Sequence, residues 1–95
     1  MTKSDLIEKV TASLEGNTYR KRDIERAVNV IFDSMKDALI NEQRIEIRGL
    51  GSFKVRHRDA RIGRNPKSGA GVNIPDRKIP FFRAGRELRN SLKNA

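Results

Sequence analysis

The chain has 95 residues, a length that fits one domain. Apolar residues make up 36% of it and charged residues 35%, and 21 Lys and Arg against 12 Asp and Glu give a formal net charge of +9. Cysteine is absent and histidine occurs once, which excludes disulfides, thiolate metal sites and an imidazole metal cluster. A small apolar fraction without such cross-links predicts a soluble intracellular domain that is stabilised by a partner subunit and binds an anion.

The charge is divided unevenly between the two halves of the chain. Residues 1–43 carry 7 basic and 8 acidic side chains, whereas residues 44–95 carry 14 basic and 4 acidic ones. This division predicts that the first half serves folding or association and the second binds an anion, although a basic face also keeps a protein soluble. No apolar stretch is long enough for a membrane span, and no N-terminal apolar segment indicates secretion. We therefore expect a cytoplasmic protein without a membrane partner.

Two helices are predicted in the first half. The first covers residues 2–15, where Thr2 and Asp5 form a capping-box pattern and Gly16 is a stop signal. The second covers residues 20–40, where eight apolar side chains recur at helical spacing. This apolar stripe is too wide for one short helix to cover, so we expect part of it to pack against a second chain.

The apolar spacing changes to every second residue after position 43. Residues 44–48 and 52–56 alternate as β-strands, and two glycines in residues 49–51 predict the turn between them. The side chains predicted to face a core are Ile45, Ile47, Phe53 and Val55. A short last helix is predicted from Arg86 to Leu92.

The segment from about residue 56 to residue 79 is basic and nearly lacks apolar side chains. Turn-forming residues surround Pro66, and a strand-like pattern returns at Val72 and Ile74. The simplest geometry is a long basic β-ribbon arm with its tip near Pro66, in which each leg of about eight residues reaches roughly 25 Å. The alternative is a disordered loop, and the order of the unbound arm stays open.

Arginine suits phosphate because its planar, permanently charged head offers several hydrogen-bond donors. A ribbon dense in such side chains favours a nucleic-acid partner over plain solvation. The candidate ligands are Arg56, Arg58, Arg61, Arg64, Lys67, Arg77 and Lys78. Pro66 has two possible roles: it sets the turn, or its rigid apolar ring wedges between bases and kinks DNA.

Two other classes of function fit the sequence less well. An RNA-binding protein, for instance a ribosome-associated one, has the right charge, but the arm lacks the aromatic residues on which RNA bases usually stack. An enzyme needs a nucleophile with its base, a carboxylate pair, a phosphate-cradling glycine loop or a metal-ligand spacing, and we find none of these patterns. His57, between two arginines, is interpreted as an arm or surface residue. We therefore predict no enzymatic activity, no metal site and no cofactor.

Three segments resemble the bacterial histone-like DNA-binding family, which comprises HU and the two subunits of integration host factor. They are residues 44–53 (Arg-Ile-Glu-Ile-Arg-Gly-Leu-Gly-Ser-Phe), residues 63–69 (Gly-Arg-Asn-Pro-Lys-Ser-Gly) and residues 80–88 (Pro-Phe-Phe-Arg-Ala-Gly-Arg-Glu-Leu). The middle segment is highly specific in this context, and the resemblance covers essentially the whole chain. Within the family, the first segment is most similar to the beta subunit of integration host factor.

The predicted fold class is α+β: a helical body, a β-hairpin sheet that extends into the basic arm, and a short C-terminal helix. The resemblance adds that two such chains form an intertwined dimer. Residues 1–95 are expected to form a single DNA-binding domain. Its parts are a helical dimerisation part (1–43), a β-sheet (44–82) with the arm at about 56–79, and a C-terminal helix (83–95).

The resemblance also implies a function. It is that of a nucleoid-associated architectural protein that binds and bends double-stranded DNA, either as a homodimer or as a heterodimer with a related subunit. Pro66 is the implied intercalating wedge, flanked by Arg64 and Asn65 in the minor groove. The side chains outside the arm that are implied to meet phosphates are Lys3, Arg83 and Arg86.

Glu46 and Arg48 match positions that contribute to sequence preference in the beta subunit of integration host factor. The alternative for both is an exposed cross-strand charge pair of little energetic weight. The sequence leaves open whether DNA binding is sequence-specific, which site is bound and how large the bend is.

Overall fold

The computed structural model describes residues 1–95. The elements in chain order are α1 (Lys3–Ser13), α2 (Lys21–Ile40), β1 (Ile45–Ile47), β2 (Gly51–Arg58), β3 (Arg61–Arg64), β4 (Gly71–Ile74), β5 (Arg77–Ala84) and α3 (Arg86–Lys93). Three helices and five antiparallel strands confirm the predicted α+β class. None of the helices has the length and apolar character needed to cross a membrane. The chain divides into two compact units, residues 1–37 and residues 38–95, which are described in turn.

The first unit begins with the predicted capping box. The Thr2 hydroxyl accepts a hydrogen bond from the Asp5 N–H (3.1 Å), and the Asp5 carboxylate accepts one from the Thr2 N–H (2.8 Å). Two backbone donors that the first helical turn leaves unpaired are thereby satisfied. The helix starts at Lys3 and not at Thr2, because the capping residue itself has an extended backbone.

We expect Thr2→Ala to lower the free energy of unfolding by about 1 kcal/mol, because the Asp5 N–H then loses its acceptor. Urea denaturation followed by circular dichroism measures the change. Ser4→Ala is the control, since Ser4 is exposed in α1, and it should stay within about 0.5 kcal/mol of the parent. Equal losses in the two variants would show that the cap contributes nothing.

The core of the first unit is small. Ile7 of α1 packs against Ile24 and Val28 of α2, and these three are the buried apolar residues of the chain. Lys21 and Glu8 form an ion pair between the same two helices. Ile31 belongs to the predicted apolar stripe of α2, yet it is 56% exposed. The exposure of Ile31 means that part of the α2 stripe lacks a partner within the chain. Three buried side chains also bury too little apolar surface to offset the entropy lost when a chain of this length folds.

In the second unit, β1, β2 and β5 form a three-stranded antiparallel sheet in the order β1-β2-β5. Ile45 lies opposite Phe53, and Phe53 lies opposite Phe82. Since residues that lie opposite each other project to the same face, these three side chains share one face of the sheet. The rings of Phe53 and Phe82 are 4.8 Å apart between centroids. It is the face that the sequence analysis predicted to be apolar, from the alternation of Ile45, Ile47, Phe53 and Val55.

The turn between β1 and β2 depends on glycine. Gly49 has a φ of 86° and Gly51 a φ of 153°, which side chains with a Cβ rarely adopt. A Cβ at Gly51 would also overlap the backbone of Arg83 and Gly85. The Leu50 carbonyl accepts a hydrogen bond from the Gly85 N–H (2.9 Å). The turn is therefore joined to the start of α3.

Candidate nucleic-acid interface

The basic segment forms the predicted β-ribbon, but as two successive ladders instead of one. The β2–β5 ladder ends at Arg58 opposite Arg77, and the β3–β4 ladder begins at Arg61 opposite Ile74. Two residues on each leg separate the ladders. One of them is Pro75, which has no N–H to donate to a ladder. The predicted pairing of the two legs is confirmed, and the interruption is new.

The outer ribbon, β3 and β4, is held by isoleucines that cover glycines on the opposite strand. A Cβ at Gly63 would lie 2.6 Å from Cδ1 of Ile74, and one at Gly71 would lie 3.3 Å from Cγ2 of Ile62. Each glycine thus leaves the space that an isoleucine fills. This local packing supports a ribbon where the sequence left a loop as the alternative, even though Ile62 is 76% exposed.

The tip of the ribbon is a turn of defined geometry. The Asn65 side-chain oxygen accepts a hydrogen bond from the Lys67 N–H (2.9 Å), and the Asn65 carbonyl accepts one from the Gly69 N–H (2.7 Å). Gly69 has a φ of 71°, which is favourable for glycine. Pro66 follows Asn65, where its fixed φ suits the turn, and it is exposed to solvent. Pro66 can therefore set the turn and still be exposed enough to enter a base step.

The predicted phosphate ligands of the arm are all exposed to solvent. They are Arg56, Arg58, Arg61, Arg64, Lys67, Arg77 and Lys78. Arg58 and Arg77 lie opposite each other across the β2–β5 ladder, and like charges in this arrangement destabilise a sheet. A bound phosphate between them would relieve that repulsion. Arg56 makes a cation–π contact instead, since its guanidinium carbon lies 3.4 Å from the centroid of the Phe81 ring.

Lys78 has a carboxylate neighbour that the sequence analysis missed. Oε1 of Glu42 lies 3.2 Å from Nζ of Lys78 and 2.8 Å from Nε2 of His57. The Lys78 ammonium holds the pKa of the Glu42 carboxyl below its ordinary value, and His57 acts in the same direction. Lys78 is thus less available to a phosphate than Arg58 or Arg77. No spacing rule links Glu42 to these strands, because only the fold brings the three side chains together.

A second basic site is a groove of about 320 Å³ between the β1–β2 turn and the start of α3. The predicted residues that line it are Glu46, Arg48, Arg83 and Arg86. Arg44 and Arg89 also line the groove, and neither was predicted. The signal for Arg89 was its spacing of three residues from Arg86 on one helix, which places both on the same side. The groove therefore gathers five arginines, the side chain best suited to phosphate.

Two features add detail to this groove. The first turn of α3 follows Gly85, which offers no side-chain cap, so its backbone N–H groups and helix dipole attract an anion. The Glu87 carboxylate of the same turn also lines the groove and opposes this attraction. Glu46 lies opposite Ser52 in the sheet, and its cationic neighbour is Arg44, two residues earlier in the chain, at 4.0 Å. Glu46 thus forms an exposed charge pair, as the alternative expected, but along the strand instead of across it, and its role in sequence preference stays a prediction.

Lys3 is the remaining predicted phosphate ligand. It is exposed as the first residue of α1 and belongs to the first compact unit. Its position at a helix N-terminus leaves its ammonium accessible to solvent. The role of Lys3, like that of every individual side chain in the arm and the groove, stays a prediction.

Comparison with known proteins identifies the relatives of this chain. Residues 1–93 match the sequence model of a family described as bacterial DNA-binding protein. Integration host factor subunit beta of Ralstonia nicotianae is 52% identical over 89 residues, which cover 94% of this chain and 63% of that protein. The subunit of the same name from Methylococcus capsulatus is 46% identical over 97 residues, which cover 99% of this chain and 100% of that protein. The chain spans less than two thirds of the Ralstonia relative and 64% of the Cupriavidus pinatubonensis one.

Solved structures agree with the sequence relatives. An Anabaena HU–DNA cocrystal structure has a TM-score of 0.83 at 28% identity, with both chains covered completely. HU from Thermotoga maritima has a TM-score of 0.64 at 23% identity, covering 97% of this chain and 98% of that chain, and it shows likeness of fold alone.

Three helices and a small antiparallel sheet with an exposed basic β-ribbon define an HU-like protein. The extent of the sequence match then settles the family. The chain belongs to the bacterial DNA-binding protein family, which confirms the resemblance found in the sequence.

Proposed function

We propose that the protein binds and bends double-stranded DNA as a dimer and acts as an architectural component of the bacterial nucleoid in the cytoplasm. The observation that carries the proposal is the exposed ribbon of residues 61–74, which bears Arg61, Arg64 and Lys67 around a tip that exposes Pro66. The family and the HU–DNA complex similar to this chain support the same function. No catalytic residue, metal or cofactor has a part in this proposal.

The ribbon is suited to a groove of DNA. Guanidinium groups along its legs neutralise phosphates, which supplies affinity without reading sequence. At the tip, Arg64 and Asn65 meet the floor and walls of the minor groove, while the Pro66 ring enters a base step and kinks the duplex. Bent DNA then brings its flanks to the arginine groove beside α3, where Arg83 and Arg86 contact phosphates. Glu46 and Arg48, which line the same groove, bias the sequence preference of this contact.

A second subunit completes the proposed protein. Ile31 of the predicted apolar stripe is 56% exposed, and Val30 and Ile40, which lie on other sides of α2, are 56% and 72% exposed. The proposed partner, which covers apolar side chains on more than one side of α2, is another copy of this chain or a related subunit. Residues 1–95 then act as one DNA-binding domain, with dimerisation through residues 1–43. The arm of about residues 56–79 lies within the sheet region 44–82, and residues 83–95 form the C-terminal helix.

The oligomeric state is tested by sedimentation equilibrium of the purified chain. We expect a dimer at micromolar concentration if the chain pairs with itself. A chain that forms dimers only after addition of a related subunit would define a heterodimer. A chain that binds DNA as a monomer in both situations would contradict the proposal.

The nucleic-acid partner is tested by competition. A labelled DNA duplex bound to the protein is challenged with unlabelled duplex DNA or duplex RNA of the same sequence. We expect DNA to compete more strongly, because the minor groove of A-form RNA is too shallow and wide for the ribbon. Stronger competition by RNA would favour the RNA-binding alternative, which no feature of the fold supports: Phe53 and Phe82 pack on each other in the sheet and lie outside the arm.

A further inference from the structure

Glu42 has an unusual backbone for its residue type. Its φ of 58° is the one positive φ outside glycine. It lies in the turn after α2, where the Glu42 N–H donates to the Leu39 carbonyl (3.0 Å) and the Gln43 N–H donates to the Ala38 carbonyl (2.8 Å). This pattern of hydrogen bonds ends many helices, and its left-handed position is usually occupied by glycine or asparagine. A glutamate there costs folding energy, so a compensating interaction is expected.

The side chain of Glu42 supplies that interaction. Its Oε1 contacts His57 of β2 at 2.8 Å and Lys78 of β5 at 3.2 Å. His57 and Lys78 lie opposite each other, one residue pair before the end of the β2–β5 ladder. The carboxylate thus joins the turn after α2 to both legs of the arm at their inner end.

Other charged side chains lie beside this contact and also act on the inner end of the arm. The next pair along the legs is Arg58 and Arg77, and Asp59 and Asp76 follow on the same two legs; all four line one cavity with His57 and Lys78. The two aspartates offset the two arginines in charge. Glu42 is therefore the counter-charge that the His57–Lys78 pair itself receives from outside the arm.

We propose that Glu42 is a positioning residue, which fixes the inner end of the arm by holding His57 and Lys78 together. The arm then leaves the sheet in one direction before it meets DNA. The consequence for DNA rests on the proposed function, whereas the contact itself is measurable on the free protein. The role of Glu42 and the proposed DNA-binding function can therefore be disproved by separate experiments.

The contact has a defined dependence on pH. The pKa of Glu42 is lowered, chiefly by Lys78, so its contribution is complete above the ordinary glutamate value of about 4.3. It is lost as the pH falls through the lowered value, because the folded state then takes up the proton.

The test is amide hydrogen exchange of residues 56–58 and 77–79 in the intact, DNA-free protein at neutral pH, expressed relative to intrinsic exchange. Glu42→Gln keeps the side-chain length and removes the charge. Glu42→Gly removes the carboxylate and also relieves the left-handed backbone, so it loses the contact without losing overall stability. Glu15→Gln is the control, because it makes the same charge change outside the arm, after α1.

We expect both Glu42 variants to lose protection about two- to five-fold, whereas Glu15→Gln keeps the wild-type protection. Wild-type protection in Glu42→Gly, or an equal loss in Glu15→Gln, overturns the proposal. DNA affinity is not the deciding readout, because removal of any carboxylate raises it. A protein that shows the exchange result but binds no duplex would retain the Glu42 assignment and disprove the proposed function.

Discussion

Replacement of Pro66 with alanine is expected to remove most of the DNA bend while leaving most of the DNA affinity. The bend depends on a rigid apolar ring entering a base step, and kinks of this kind amount to roughly 20–90° each. Affinity depends mainly on the arginines, which the substitution does not touch. The turn should survive, because the hydrogen bonds of Asn65 to Lys67 and Gly69 do not involve Pro66. Energy transfer between dyes at the two ends of a duplex measures the bend.

Pro75→Ala is the matched control for this experiment. Pro75 is the other proline of the arm, but it lies at the interruption between the ladders and not at the tip. We expect this variant to bend DNA as the parent does. An undiminished bend with Pro66→Ala would limit Pro66 to setting the turn, and an equal loss in both variants would assign the effect to the general stiffness of the arm.

The substitution with the largest expected effect on stability is Gly51→Ala. An alanine Cβ would overlap the Arg83 carbonyl and lie 2.9 Å from the Gly85 nitrogen, both backbone atoms that no side-chain rotation can move. The φ of 153° adds strain. We expect a loss of about 3 kcal/mol or more in the free energy of unfolding, measured by urea denaturation.

Gly85→Ala provides the comparison for Gly51→Ala. Gly85 lies directly across the same contact, but its φ is −73° and an added Cβ would meet its nearest atom at an ordinary 3.4 Å. We expect a loss of about 1 kcal/mol or less. Similar losses in the two variants would mean that the close approach at Gly51 relaxes without cost.

The sequence predicted those elements whose signals are local. The Thr2–Asp5 capping box, the alternation of Ile45 and Ile47, and the turn around Pro66 all depend on residues within a few positions of one another. Each such pattern has one backbone geometry that satisfies its hydrogen bonds and apolar faces. The arm was also predictable, since a long basic segment has too few apolar side chains to form a core.

The features that the sequence analysis did not predict depend on a missing donor within the arm and on tertiary contacts. The arm is interrupted where Pro75 has no N–H to donate, and the register of the two legs is the same on both sides of the interruption. The contact of Glu42 with His57 and Lys78 joins a turn to two strands. Arg44 was not predicted as part of the groove for the same reason, because only the folded sheet brings it beside α3.

The central claim is that the charges of the arm bind DNA phosphates. Fluorescence anisotropy of a labelled duplex, titrated with the protein at several salt concentrations, tests it most directly. The logarithm of the binding constant should fall linearly with the logarithm of salt concentration, by about 0.9 for each phosphate neutralised. In the proposed dimer, the double variant Arg61→Gln, Arg64→Gln removes two arginines from each of two arms, so it should reduce that slope by about 3.6. A binding constant indifferent to salt, or a slope that the double variant leaves unchanged, would contradict the account.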